Sequence, residues 1–341
     1  MSFLTSKVYT LSGPKQLFLK EEQISLDDLD DYEIVAETVY SAISPGTETA
    51  AYMGLSPLRP GNIYPRVVGY CNIAKVIACG GSVKTWNEGD YLLSFQSHRT
   101  SFKIRKSDFA LKLEAGIDLK QAAVTYLFHL GYHAVISANA KAGHNIAVVG
   151  IGTLGLTSAL MSKLIGAVPF AFTNQTPPPS LIKEQVKVFQ KNAGCLDNIQ
   201  MITHGTGIDI VINTSNSWPD WKLALELVRK GGTIVNVGFP GRGQELPNFN
   251  PLDPSYIYFK NIQIKSLGYI NETDTSVLDF RFNMKRNLHY LLDKIKDGSI
   301  NANCLLSEEI NYTQLQMQYD KYTSHQHQLF STLINWKNCL I

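Results

Sequence analysis

An apolar run that breaks into three spaced glycines constrains this chain more than any other feature. Asn145 to Gly155 reads NIAVVGIGTLG, and helix-forming residues follow it. Ile146 to Val149 has the character of a buried strand, and Leu154, Thr157, Met161 and Leu164 recur at helical spacing. A strand that turns into a helix through such glycines is a dinucleotide-binding turn. Gly150 permits the tight exit, Gly152 lets a pyrophosphate reach the backbone, and Gly155 lets the helix pack on the sheet. The helix start at Thr153 and Leu154 then offers amide donors and the positive end of the helix dipole to the phosphates.

The periodicity changes on either side of that turn. Residues 7 to 110 hold short strand-like pieces, among them Glu33–Tyr40, Cys71–Ala78 and Tyr91–Ser94, separated by Gly, Pro and Asn, which predicts a β-rich, barrel-like unit. From Leu119 helices and strands alternate. Helices are expected at Leu119–Ala138, 153–166, Leu181–Ala193 and Lys222–Arg229, and strands at 145–150, Val168–Thr173, Ile208–Asn213, Thr233–Val237 and Ile262–Leu267. Alternation of this kind predicts an α/β unit with a parallel sheet covered on both faces. The last 65 residues turn helical before a final strand at Ser331–Trp336.

Length and charge bound the function. At 341 residues the chain is long enough for two domains, and a net charge of +2 without clustered Lys and Arg gives no case for nucleic acid. No 18-residue apolar run and no signal-peptide core occur, so no membrane role and a cytosolic location are expected. The five cysteines, Cys71, Cys79, Cys195, Cys304 and Cys339, form no C-x-x-C pair, which signals neither a disulfide framework nor a zinc ribbon.

The order of elements, a β-rich N-terminal part, a mid-chain GxGxxG domain and a short C-terminal return, resembles the medium-chain dehydrogenase/reductase superfamily. Two further markers carry the resemblance. Asn87-Glu88-Gly89-Asp90-Tyr91 is similar to the family's V-G-D-R-V turn, and Gly231-Gly232-Thr233-Ile234-Val235-Asn236-Val237-Gly238 to its G-G-x-hydrophobic-V-x-x-G strand. Ser44-Pro45-Gly46-Thr47-Glu48 resembles zinc-independent, alcohol dehydrogenase-like members, such as the bacteriochlorophyllide-dehydrogenase-like and polysaccharide-pathway oxidoreductases. The resemblance implies a Rossmann doubly wound parallel sheet at 119–274 and a β-rich GroES-like barrel domain from 1–118 and 275–341. A substrate cleft between the two is implied as well.

Departures from the zinc-dependent pattern decide the chemistry. The first family ligand position falls on Pro45, which has no donor group; the second falls on Tyr70, with Cys71 in place of its carboxylate neighbour; the third falls near Thr125 or Tyr126. The four-cysteine structural lobe is also missing, since the chain runs directly from Phe95 to His98 and Phe102. No zinc is expected. A carbonyl must then be polarised by hydrogen bonds, and Thr47 and Tyr70 are the candidate catalytic donors. A turn-capping hydroxyl and a pocket-lining aromatic are their alternatives. Glu48 is expected to anchor the loop by accepting backbone or Arg hydrogen bonds, Ser44 is a weaker candidate, and Tyr52, Tyr126 and His129 either line the cleft or fill the core. Cys71 with His98 or His129 is read as packing.

Charge argues for the cofactor. No carboxylate occurs between Asp118 and Glu184, whereas NAD-preferring members place one at the end of the second strand. Thr173, Asn174 or Lys183 could hold a 2′-phosphate, so NADP(H) is favoured over NAD(H). The family layout further implies nucleotide contacts from Asn213, Thr214 and Ser215, and from Val237, Gly238 and Phe239 near the nicotinamide; ordinary turn residues are the alternative. The expected function is hydride transfer between NADP(H) and a carbonyl or alcohol on a small-molecule substrate. Reduction of an activated C=C bond and a catalytically decayed NADPH sensor or scaffold are the alternatives. A homodimer is expected, joined through the edge strand Ile262–Leu267.

Overall fold

The apolar run ahead of the glycines forms the strand Asn145–Val149, and the strands hydrogen-bonded to it are as apolar as it is, as interior strands covered on both faces must be. The computed structural model describes residues 2–58, 61–105, 107–268, 282–324 and 328–337. They fall into two compact units, one drawn from Met1–Tyr126 and Asn271–Ile341, the other from Leu127–Ile270.

In the second unit all strands are parallel, in the spatial order Lys187–Phe189, Val168–Phe172, Asn145–Val149, Ile208–Asn213, Val228–Asn236, Gln263–Ser266. Chain order along the sheet is therefore 3-2-1-4-5-6, the doubly wound arrangement that reverses its direction of growth beside the strand leading into the glycines. One face buries Ala147, Val149, Phe170, Phe172, Trp221 and Leu225 together. Each such large side chain contributes roughly 1.5–3 kcal/mol by leaving water. Helix Thr153–Leu164 starts at Gly152, whose lack of a side chain leaves the first amides without a side-chain cap.

Three expectations are corrected here. The helix expected at Leu181–Ala193 is only Pro179–Lys183; Gln185 adopts a left-handed φ of 54°, which ends it, and Lys187–Phe189 becomes an outer strand of the sheet. The helix expected at Leu119–Ala138 divides into Leu119–Ala122 and Thr125–Ser137. The helix expected at Lys222–Arg229 begins at Trp218, with Pro219 in its first turn, and ends at Leu227.

The first unit is β-rich. Phe3–Gly13 lies between Gln16–Ser25 and Arg66–Val67, all antiparallel. A larger sheet runs Leu306–Asn311, Ser331–Asn335, Ile34–Ala42, Cys71–Cys79, Tyr91–Ser94, Ala110–Lys112, with Ser101–Ile104 also paired to Ile34–Ala42. The C-terminal strand Ser331–Asn335 thus sits inside this sheet. Helices Pro45–Met53 and Leu315–Thr323 meet over a core of Tyr9, Tyr52, Tyr319 and Trp336. Among the described residues no helix is long and apolar enough to cross a membrane.

Candidate functional site

The glycine turn is built from approaches that only glycine allows. Gly150 leaves its strand with a φ of 90°, and a Cβ on Gly155 would lie 1.9 Å from the Gly150 carbonyl oxygen. Thr214 Oγ1 donates to that same carbonyl at 2.6 Å, which locks the turn from the adjacent strand. Fully buried Asn213 donates to the Ser215 carbonyl at 3.2 Å and to Asn236 Oδ1 at 3.0 Å. The Asn213 carbonyl accepts the N–H groups of Val237 and Gly238 at 2.8 and 3.0 Å. A Cβ on Gly238 would lie 2.3 Å from the Ser215 carbonyl oxygen, whereas one on Gly152 would meet nothing within 4 Å. The carboxyl edge of the sheet therefore gathers Gly150, Gly152, Thr153, Leu154, Gly155, Asn213, Thr214, Val237 and Gly238 around one open backbone position at a helix start. That arrangement fits a pyrophosphate. Phe239 stands further out, 46% exposed, with the Arg242 guanidinium 3.7 Å from its ring centroid.

At the end of the second strand, Thr173 is buried and its hydroxyl accepts from the Gln175 N–H at 3.1 Å. Exposed Asn174 accepts from the Lys191 N–H at 2.8 Å through Oδ1. Lys183 lies one helix further on, exposed in the last turn of Pro179–Lys183.

The hydroxyl candidates lie in the other unit. Helix Pro45–Met53 opens with proline, whose missing amide costs nothing at a helix start. Ser44 precedes it in an extended conformation and does not cap the helix with its side chain; instead Ser44 Oγ accepts the Tyr70 phenol at 2.5 Å. Thr47, half-buried in the first turn, lies near enough to the Tyr70 hydroxyl to act on its ionisation. Tyr70 is 8% exposed, and burial pushes its phenol well above the ordinary range, with Cys71 and Glu48 adding to the rise and Ser44 and Thr47 opposing it. A phenol so raised keeps its proton. Tyr126 meets the Tyr70 ring edge-on at 5.6 Å, and Phe95 and Phe109 continue the aromatic contact at 4.7 Å each. The structure thus joins Thr47, Tyr70, Ser44 and Tyr126 in one place.

The other candidates have different partners. Tyr52 is spent on Asp320 at 2.7 Å, and burial and that carboxylate raise its phenol to about 12. His129 belongs to the second unit and is fully buried there; desolvation, with His133 adding to it, pushes its imidazole down to about 3. His98 is no bland packing residue. It is fully buried, its Nε2 lies 2.8 Å from Glu48 Oε2, and its Nδ1 lies 2.9 Å from Ser41 Oγ. Glu48, 2% exposed, also accepts the Ser44 N–H at 2.7 Å and the Tyr319 phenol at 2.5 Å. No local signal could have found these partners, since Tyr319 lies 271 residues from Glu48 and Trp336, which donates to Ser41 Oγ, lies 295 residues from it.

The three family metal positions do not fit a metal. Pro45 offers no donor, the Tyr70 phenol is committed to Ser44, and the Thr125 hydroxyl donates to the Ala122 carbonyl at 2.8 Å. Among the described residues no group of three His, Cys, Asp or Glu side chains is gathered where a metal ion could sit.

Parts of the sequence, and the fold, are similar to known proteins. Residues 181–281 match the family described as zinc-binding dehydrogenase. Sorbitol dehydrogenase of Bacillus subtilis (strain 168) is 26% identical over 182 residues, which span 51% of this chain and 49% of that protein. NADP-dependent isopropanol dehydrogenase of Clostridium beijerinckii is 23% identical over 222 residues, spanning 53% of this chain and 62% of that one. The chain therefore covers about half of the first relative's length and well short of the whole of the second's. The fold likeness extends further: L-idonate 5-dehydrogenase of Escherichia coli, at 18% identity, has a TM-score of 0.78 over 98% of this chain and 99% of that one.

Proposed function

We propose that the chain is a member of the medium-chain dehydrogenase/reductase superfamily and, on that premise, a zinc-independent, NADP(H)-dependent oxidoreductase interconverting a carbonyl and an alcohol. The observation that carries this reading is the Tyr70 phenol, buried, protonated and hydrogen-bonded to the Ser44 hydroxyl where a family metal ligand would stand.

Bound NADPH supplies the hydride, and the backbone at Gly150–Gly155 with Thr214 and Gly238 would hold its phosphates and nicotinamide end. Everything else falls to the chain's side chains. Reduction of a carbonyl would put negative charge on its oxygen, which calls for a donor. Tyr70 turns its O–H from Ser44 to that oxygen, and the Ser44 hydroxyl then donates back to the phenolic oxygen, which limits the charge left there. Thr47 donates beside it. The proton that completes the alcohol leaves from this hydroxyl set and is replaced from solvent. No carboxylate stands near Asn174 in sequence to repel a 2′-phosphate, which supports NADP(H), and the isopropanol dehydrogenase relative is NADP-dependent by name. We place the protein in the cytosol, as a homodimer.

Two measurements on the purified chain test the reading together. NADPH oxidation across a panel of aldehydes, ketones, ketoses and enones is expected to show turnover on a carbonyl. Elemental analysis of the same preparation is expected to find no stoichiometric zinc. Turnover confined to enones would replace the carbonyl reading with C=C reduction, and about one tightly bound zinc per chain would remove the metal-free mechanism.

A further inference from the structure

We infer that Glu48 and His98 are positioning residues for the hydroxyl set, bracing from behind the two segments that carry Ser44 and Tyr70. The inference rests on the donor role proposed above.

His98 touches both segments at once. Its backbone N–H donates to the Val68 carbonyl at 2.7 Å, and its ring lies so close to Gly69 that a Cβ there would sit 2.6 Å from it. Gly69, with a φ of 87°, is thus a glycine by necessity, one residue ahead of Tyr70. On its other side the imidazole reaches Glu48 Oε2. A carboxylate has no hydrogen to give, so Nε2 is the donor. Glu48 passes the constraint on: its second oxygen takes the Ser44 N–H, and Ser44 Oγ takes the Tyr70 phenol. From Gly69 through His98, Glu48 and Ser44 back to Tyr70 the contacts close a ring. Tyr319 and Ser41 fix its two outer corners.

Such a ring does more than fill the core. Apolar packing could stabilise the segments equally well, but it would not set the direction of the Ser44 backbone, on which the 2.5 Å contact to the phenol depends. Because the positions of a donor and of the atom it serves must agree within a fraction of an ångström, loosening the ring should slow chemistry while leaving the nucleotide unit alone.

The test uses the full chain and the carbonyl of the panel that it reduces with NADPH. Glu48→Gln keeps the shape but turns an amide towards donors; His98→Leu removes the brace; His98→Gln retains an N–H at the place of Nε2. Each is made alone and with Tyr70→Phe. For Glu48→Gln and His98→Leu, kcat is expected to fall about 10- to 100-fold with KM for NADPH unchanged, and His98→Gln should recover most of the loss. In the Tyr70→Phe background the losses should nearly vanish, because no phenol remains to be positioned. A second readout needs no turnover: 3-fluorotyrosine at position 70 should give one sharp fluorine resonance that shifts or broadens in Glu48→Gln but not in Val76→Ala, a core change in the same unit. Equal losses with and without Tyr70, or a resonance that moves no more in Glu48→Gln than in Val76→Ala, would overturn the inference. If Tyr70→Phe itself turns over like the parent, the donor role fails instead, and the fluorine spectra alone decide whether the brace exists. Should His98→Leu not fold, Glu48→Gln and His98→Gln carry the comparison.

Discussion

The proposed nucleotide cradle and the proposed hydroxyl site are built in two ways: the first is backbone shaped by glycines within a short stretch of chain, the second is side chains drawn from remote stretches and fixed by one another. In the cradle, what matters is that atoms are missing. In the hydroxyl set, what matters is that polar atoms are present and pinned. A change that adds bulk should therefore be severe in one place, and a change that removes a single oxygen should be severe in the other.

The largest effect is expected at Gly155. Gly155→Ala drives a methyl into the Gly150 carbonyl and should weaken NADPH binding by about 100-fold or more, some 2.7 kcal/mol, with a lowered Tm. Gly152→Ala sharpens the contrast. Its methyl meets nothing in the chain, so Tm should hold while NADPH binding still falls, and a thermal shift titration separates the two. If Gly152→Ala binds NADPH normally, the open backbone position is not where the phosphates lie.

Next in size is Tyr70→Phe, which removes one oxygen and should lower kcat by about 10- to 1000-fold with the NADPH dissociation constant unchanged. Full turnover by this variant would strip the hydroxyl set of its chemical role. Smaller still is Asn174→Asp. The new carboxylate can still accept the Lys191 N–H, so the turn survives, but it should oppose a 2′-phosphate and shift the ratio of NADPH to NADH dissociation constants by about 10- to 100-fold towards NADH. A ratio that does not move would place the adenosine end elsewhere.

The smallest effect tests neither site. Among the described residues Gln263–Ser266 pairs on one side only, with Val228–Asn236, and Ile264 is 39% exposed on it. A two-fold partner could continue the sheet there. Ile264→Asp is expected to shift light-scattering mass from dimer towards monomer, with little change in kcat; a parent protein that is already monomeric at micromolar concentration would end the dimer proposal.

How much of this was legible in the sequence follows the same division. Gly150, Gly152 and Gly155 announce themselves because a steric need recurs at fixed spacing, and the alternating strands and helices around them follow from periodicity. The strand Lys187–Phe189 was not legible, since Leu181 and Ile182 ahead of it read as helix and only the left-handed Gln185 breaks the run. Thr47 and Tyr70 could be named through the family's motif, but the hydrogen bond from the Tyr70 phenol to Ser44 could not. Still less could His98, whose partners Ser41 and Glu48 lie 57 and 50 residues away. Its significance arises only when three segments converge, and no local pattern encodes convergence.

The distant partners of that network also bear on how the protein is made. A chain synthesised from its N-terminus exposes Ser41 and Glu48 long before Tyr319 and Trp336 leave the ribosome. At about 5–20 residues per second, the interval for some 271 to 295 residues is on the order of 15 to 60 seconds. Throughout it, residues Leu127–Ile270 have their own continuous stretch in which to form contacts, whereas a buried carboxylate and a serine of the first unit await their last donors. The hydroxyl site is therefore completed only after Leu127–Ile270 has been synthesised, and a ribosome that stalls before Tyr319 leaves it unfinished however well that stretch has folded.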